Sequence, residues 1–264
     1  CLIAELAKSG QNCLIVDYTN GFKSEQLEKE IMERLNPTQH IVRQKPVPIN
    51  PFRKQCDYID GLEIEECPVN VAQRVTGVFS EVYDLGDQQK SALYNAIRIG
   101  VEKEGNNFNL ERLIARLQEI QKESTPIANA ASSVTSRIQP FVDIKPFGKE
   151  DTEGWEKIFN DPESRCHIIQ LATFSKDTAK LITEFSLFDL YRYYRGKGSK
   201  DSPKVIVLDE IQNLNHDLSS PLGQLLTEGR KFGISLILAT QTLSNLNTDQ
   251  RDRLFQASHK LFFK

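Results

Sequence analysis

The chain of 264 residues is short of the residues from which several kinds of site are built. Its five cysteines (Cys1, Cys13, Cys56, Cys67, Cys166) form no CxxC pair, and its four histidines (His40, His167, His216, His259) are scattered. No zinc site is written here, and the odd thiol count argues for a reducing, cytoplasmic compartment over a disulfide framework. Long apolar runs are also missing. The longest wholly apolar stretches fall far short of the roughly 20 residues of a membrane helix, which excludes a membrane partner of that kind, and no leader pattern is visible. Positive charge is not in excess either: 33 Lys and Arg stand against 36 Asp and Glu, a net charge of -3. That excludes a generally basic nucleic-acid coat and leaves room for a local basic channel. Methionine is nearly absent. Met32 is the only one, so Cys1 is not expected to be a translation start. The opening "CLIAELAKSG" reads as the tail of a helix closed by Gly10, and the closing "HKLFFK" stops inside a strand-like run. The chain is therefore expected to be a piece of a longer polypeptide.

What is present describes an ordinary globular protein with a sizeable core: 39% hydrophobic and 26% charged residues. The length fits one large domain or two small ones. "NCLIVDY" (Asn12 to Tyr18) is a short apolar run between turn signals, which suits a buried parallel strand. "SEQLEKEIMERL" spaces Leu27, Ile31 and Leu35 along one helical stripe. "HIVRQ" reads as a short strand, and the proline-rich "KPVPINPFRK" as a loop. From Cys67 to Val142 helical periodicity dominates, with Asn109 placed to cap the helix carrying Leu110, Leu113, Ile114, Leu117 and Ile120. From Cys166 onward strand and helix alternate: "CHIIQLAT", a long helix, Lys204 to Asp209, "PLGQLLTEGRKFG", "ISLILATQ", "RDRLFQAS" and "HKLFFK". Such alternation argues for a parallel sheet with helices on both faces.

Ligands of such sheets bind at the carboxyl ends of the strands. Asp17, Asp209, Glu210 and Gln241 all fall at expected strand ends. Asp209 offers a hard oxygen ligand suited to a Mg²⁺ ion held through water. Glu210 is placed to polarise an attacking water, and Gln241 to hydrogen-bond that water or a phosphate. Alone, the Asp209-Glu210 pair reads equally as a strand-to-helix turn with a carboxylate at a helix start. Arg230 in "TEGRKFG" suits either a phosphate-binding finger acting on a neighbouring subunit or a cation at a helix end. "LYRYYRGKGSK" (Leu190 to Lys200) reads better as a packed amphipathic helix end than as a nucleic-acid grip.

Taken in order, "KVIVLDEIQNL", "LLTEGRKFGISLILATQTLSNL" and "HKLFFK" resemble the HerA/FtsK superfamily of P-loop ATPases, which are usually hexameric DNA motors. "CLIVDYTNG" and "INPF" (Ile49 to Phe52) resemble further elements of that family. The resemblance implies an α/β, RecA-like three-layer parallel sheet with a helical insertion. It implies ATP and Mg²⁺ as cofactors, Asp209 as the metal ligand, and Glu210, Gln241 and Arg230 as catalytic carboxylate, sensor and finger. Asp17 and Asn50 are implied as weaker cofactor-binding positions. The core is expected over 1–52 and 151–264, with a mostly helical insertion over 53–150. DNA and further copies of the chain are the expected partners. A setting in bacterial DNA restriction and defence, with a partner nuclease, follows from the general texture; the alternatives are a secretion or conjugation motor and a degenerate fold kept as a binding module. One departure is large: GxxxxGK[ST] is absent. The backbone amides, lysine and hydroxyl that grip phosphates and Mg²⁺ are expected upstream of Cys1, and these 264 residues alone are expected not to turn over ATP.

Overall fold

The structure, a computed structural model, describes residues 2–123, 127–148, 154–244, 246–255 and 259–261. The chain forms two compact units: Cys1–His40, Trp155–Phe174 and Lys197–Lys264 make the first, Ile41–Gly154 and Ser175–Gly196 the second. The strands are β1 (Cys13–Asp17), β2 (Thr38–Ile41), β3 (Cys56–Ile59), β4 (Leu62–Glu65), β5 (Cys166–Gln170), β6 (Lys204–Leu208) and β7 (Ile234–Leu238).

The first unit is built on a five-stranded sheet of order β2-β5-β1-β6-β7, in which β5, β1, β6 and β7 pair in parallel. Every residue of β1, β5 and β6 is buried, as strands covered on both faces must be, and this is why they read as continuous apolar runs. Ile3 and Ala7 of α1 (Leu2–Lys8) and Leu35 of α2 (Lys29–Leu35) pack with Ile15, Ile168, Val205 and Val207 of the sheet. Gly10 closes the turn after α1 at φ 79. The helix expected from Ser24 begins only at Lys29, because the chain before it closes in turns, with Gln26 and Leu27 donating to the Lys23 carbonyl. At the other edge, β7 is unlike its neighbours. Only Ile234 is buried, Ser235 is exposed and Leu236, Ile237 and Leu238 are half-buried.

The register fixes which residues meet. Asp17 pairs with Gln170, Val16 with Leu208, and Leu208 with Leu238. Asp209 therefore leaves the sheet beside Asp17, and the residues after Leu238 leave it beside Asp209. Two carboxyl-terminal strand ends thus carry acids to one rim, and a third carries Thr240 and Gln241. After β6 one turn of 3-10 helix (Ile211–Asn213) leads to α9 (Pro221–Glu228), capped by the Ser220 hydroxyl, which accepts from the Gly223 N–H at 3.0 Å. A second 3-10 turn, Gly229–Phe232, ends at Gly233 with φ 75, where a Cβ would lie 2.0 Å from the Ser199 carbonyl oxygen; only glycine fits. The last expected helix, "RDRLFQAS", is seen as Thr248–Phe255, starting three residues earlier, and its residues 256–258 lie outside the described residues. The "HKLFFK" strand falls partly outside the described residues, since 262–264 are not among them.

The second unit is mostly helical: α3 (Pro68–Tyr83), α4 (Asp87–Glu104), α5 (Leu110–Gln121), α6 (Ile127–Asp143) and α8 (Lys176–Lys197) belong to it, while α7 (Gly154–Phe159) falls almost entirely in the first. Phe79 packs edge-on to Phe141 and Phe185 at its centre. Asn109 caps α5 as read from sequence, accepting from the Arg112 N–H at 3.0 Å. The tyrosines of the "LYRYY" stretch are buried, and Arg192 between them pairs with Asp57 at 3.3 Å. The β3–β4 hairpin is not anticipated by the helical periodicity around it. Its signal is "YIDGLE": Asp60 and Gly61 both take positive φ (51 and 80), the two-residue turn whose twist matches the flanking strands. Among the described residues no helix is long and apolar enough to cross a membrane.

Candidate functional site at the carboxyl rim of the sheet

Asp17, the last residue of β1, is fully buried. One of its oxygens accepts from the Thr19 N–H at 3.0 Å; the other accepts from the Phe22 N–H and the Gln170 carboxamide, both at 3.0 Å. Its charge is met by internal donors, two of them backbone, and these fold the chain after β1 into a tight turn. That turn presents Thr19 to the next strand end. The Thr19 hydroxyl donates to Asp209 at 3.2 Å.

Asp209 follows β6 and is half-buried. Its second oxygen accepts from the Glu210 N–H at 2.9 Å. Burial pushes its carboxyl above the ordinary value, the two hydrogen bonds oppose this, and the charges of Glu210 and Asp17 add to the rise. A raised acid means that the folded chain holds this proton more tightly than the unfolded chain, so its ionisation destabilises the fold as pH rises through the range above 3.8. Asp209→Asn, which keeps the shape and drops the charge, is therefore expected to raise the melting temperature slightly at neutral pH. The gain should vanish on acidification toward pH 3. Calorimetry at both pH values checks this; an equal or lower melting temperature at pH 7 contradicts it.

Glu210 adopts a left-handed backbone (φ 52, ψ 44), uncommon for a residue with a side chain and held here by its surroundings. The Ile211 N–H donates to Ala239 at 3.1 Å, the Ala239 N–H donates to Leu208 at 2.9 Å, and the Asn213 N–H donates to Glu210 at 2.9 Å. The first two of these bonds tie the end of β6 to the end of β7, and the third closes the turn that follows Glu210. The carboxylate is gripped at both oxygens: Gln241 donates to one at 2.7 Å and Gln212 donates to the other. Gln212 is itself held, its amide oxygen accepting from the Thr240 hydroxyl at 2.7 Å.

The structure thus brings Asp17, Asp209, Glu210 and Gln241 to one rim, with Glu210 and Gln241 in direct contact. It adds three residues that sequence reading passed over: Thr19, Gln212 and Thr240. Their only signal is position, beside the strand-end acids and one residue before Gln241. Arg230 is exposed in the 3-10 turn that precedes β7, at the amino-terminal rim. The five residues of β7, at about 3.3 Å each, separate it from Gln241. Asn50 lies in the second unit. Its amide group donates to the Asn106 and Phe108 carbonyls at 3.0 and 2.9 Å, and its oxygen accepts from the Phe52 N–H at 3.1 Å. Among the described residues no three His, Cys, Asp or Glu side chains gather as a metal cluster, so a cation at this rim needs water or ligand oxygens beside Asp209.

No family model matches the chain, and no curated protein matches it. Solved structures match its fold. The plasmid coupling protein TrwB in complex with ADP and Mg²⁺ is 14% identical, over 96% of this chain and 69% of its own, with a TM-score of 0.50. The same protein with the ATP analogue ADPNP is 13% identical, over 94% and 69%, with a TM-score of 0.50. The fold of this chain is accordingly the RecA-like α/β fold, with a parallel sheet between helices.

Proposed function

We propose that this chain forms the hydrolysis half of an ATP-driven DNA motor of the HerA/FtsK type. The observation that carries the reading is the contact between Glu210 and Gln241, 31 positions apart in sequence and 2.7 Å apart at the rim, with Asp209 beside them. Asp209 fits Mg²⁺, a hard cation content with one carboxylate and otherwise water and phosphate oxygens. When bound, the ion would draw charge from the phosphate oxygens of ATP. Glu210 orients and deprotonates the attacking water, while Gln241 hydrogen-bonds the carboxylate and senses the phosphate. Thr19 fixes the rotamer of Asp209. Asp17 acts from behind, by building the turn that carries Thr19. The half-buried apolar edge of β7, next to Gln241, is suited to a further parallel strand bearing the phosphate-gripping loop.

Arg230 stands at the opposite rim from Glu210 of the same copy, which supports a role only on a neighbouring copy's nucleotide. A ring of subunits, with DNA as its substrate, follows from that reading. Mixing inactive Arg230→Ala subunits with inactive Glu210→Gln subunits of the full-length protein is expected to restore part of the turnover, because some interfaces then pair an intact finger with an intact carboxylate. No recovery in mixed rings would place Arg230 outside the site.

Among settings, a conjugation motor has the support of fold, since the matched structures are of a plasmid coupling protein. A restriction and defence motor with a partner nuclease rests on sequence texture. The absent loop favours a second reading, a degenerate ATPase fold kept as a binding module. Mg²⁺-dependent ATP hydrolysis by the full-length polypeptide, accelerated by DNA, is the expected result. Absence of hydrolysis supports the degenerate module; hydrolysis indifferent to DNA supports a motor that moves protein. These 264 residues alone are expected to be inactive.

A further inference from the structure

We infer that Gln212 is the positioning residue for the Glu210 carboxylate, and that the Thr240 hydroxyl sets which way the Gln212 carboxamide faces. The inference rests on the reading of Glu210 as the hydrolytic carboxylate. A carboxamide has a donor end and an acceptor end of nearly equal shape. In Gln212 the donor end meets Glu210 and the acceptor end meets the Thr240 hydroxyl at 2.7 Å. Turned over, the amide would set its oxygen against a carboxylate oxygen, a contact between two acceptors. The Thr240 proton prevents this by rewarding only one orientation.

That proton has a competitor. A threonine hydroxyl donates once, yet two acceptors lie in reach of Thr240: the Gln212 amide oxygen at 2.7 Å and the Thr242 carbonyl at 2.8 Å. The Thr242 N–H in turn approaches the Thr240 oxygen at 3.3 Å. The backbone of the segment after β7 therefore competes with Gln212 for one hydrogen. When the proton faces Gln212, the amide is locked and Glu210 is aimed. When it faces Thr242, the amide loses its second anchor and is oriented by the Glu210 carboxylate alone, so the aim of Glu210 is held less firmly. The line from Thr242 through Thr240 and Gln212 to Glu210 makes the aim of the carboxylate depend on the shape of the 240–242 segment. Because Gln241 sits in that same segment and holds the other carboxylate oxygen, one short stretch of backbone governs both contacts.

Thr240→Val keeps the branched shape and removes the proton; Gln212→Glu keeps the shape and removes the donor. In the full-length polypeptide, with saturating Mg²⁺, each is expected to lower kcat for ATP by about 10- to 100-fold, the scale of a misaimed catalytic group, with KM changed by less than about 2-fold. Thr240→Ser, which keeps the hydroxyl, is expected to recover most of the rate. A turn residue with a purely structural role would not separate valine from serine in kcat alone. Wild-type kcat in Thr240→Val and Gln212→Glu overturns the inference, as does a rise in KM at constant kcat or equal loss in Thr240→Ser and Thr240→Val. Glu210→Gln run beside them separates the two failures: full activity there removes the hydrolytic reading itself, whereas a dead Glu210→Gln with a fully active Thr240→Val removes only the Gln212 inference.

Discussion

Glu210→Gln in the full-length polypeptide is expected to reduce ATP turnover by about 10³-fold or more while leaving Mg²⁺-nucleotide binding within a few-fold of wild type. The size follows from the two services that a single carboxylate gives. It accepts the proton of the attacking water, worth typically 10²- to 10⁴-fold, and it holds that water in line with the phosphate. A glutamine keeps the shape and the reach but cannot take a proton. Binding survives because Glu210 is not the metal ligand: Asp209 keeps its own bonds to Thr19 and to the Glu210 N–H, which a side-chain change at 210 does not touch. The substitution also sets a third amide beside Gln212 and Gln241, so some loss of order at the rim is expected without loss of fold. Single-turnover hydrolysis with parallel nucleotide titration checks both halves. Retained turnover sinks the assignment of the carboxylate.

Asp17→Asn is expected to lower the melting temperature by about 10 °C with no nucleotide present. Asp17 is fully buried, and its two oxygens meet three N–H donors. An asparagine offers one oxygen, and its own amide group must point at a donor. At least one part-buried N–H loses its partner and another donor is added against it, each fault costing about 1–3 kcal/mol. A total of about 3–4 kcal/mol corresponds to roughly 10 °C for a chain of this size. The result separates two roles for a strand-end acid. A ligand-contacting aspartate loses ligand affinity and leaves the apo melting temperature alone; a turn-building one loses stability first. An unchanged apo melting temperature would return Asp17 to direct contact with the nucleotide.

How much of this was legible in the sequence depended on what each residue meets. The strands β1, β5, β6 and β7 were readable because parallel strands are covered on both faces and their sequences run apolar without a break. The β3–β4 hairpin was hidden for the opposite reason: its second strand, "LEIE", is exposed throughout, so no core-facing alternation marks it against the helical texture around it. The meeting of Asp209, Glu210 and Gln241 at one rim is legible because the ends of parallel strands converge whatever lies between them. Gln212 and Thr240 were not, because a glutamine in a turn and a threonine after a strand carry no chemical signature until the β6–β7 register places one against the other. Asp17 and Asn50 show the reverse case. The resemblance implies each as a cofactor-binding position, and in each the polar atoms are engaged within the chain, Asp17 by the Thr19 and Phe22 N–H groups and the Gln170 carboxamide, Asn50 by the Asn106 and Phe108 carbonyls and the Phe52 N–H, which no spacing in the sequence discloses. Arg230 was legible as a cation at a helix end, but its rim could be read only from the direction of β7.

In the proposed reading the rim holding Asp209, Glu210 and Gln241 faces the terminal phosphate of ATP. The most direct measurement is an experimental structure of the full-length polypeptide with Mg²⁺ and a non-hydrolysable ATP analogue. The metal is expected within direct or one-water reach of Asp209, and the γ-phosphate facing Glu210 and Gln241. A nucleotide bound away from this rim, or a rim unchanged and solvent-filled beside a bound nucleotide, would contradict it.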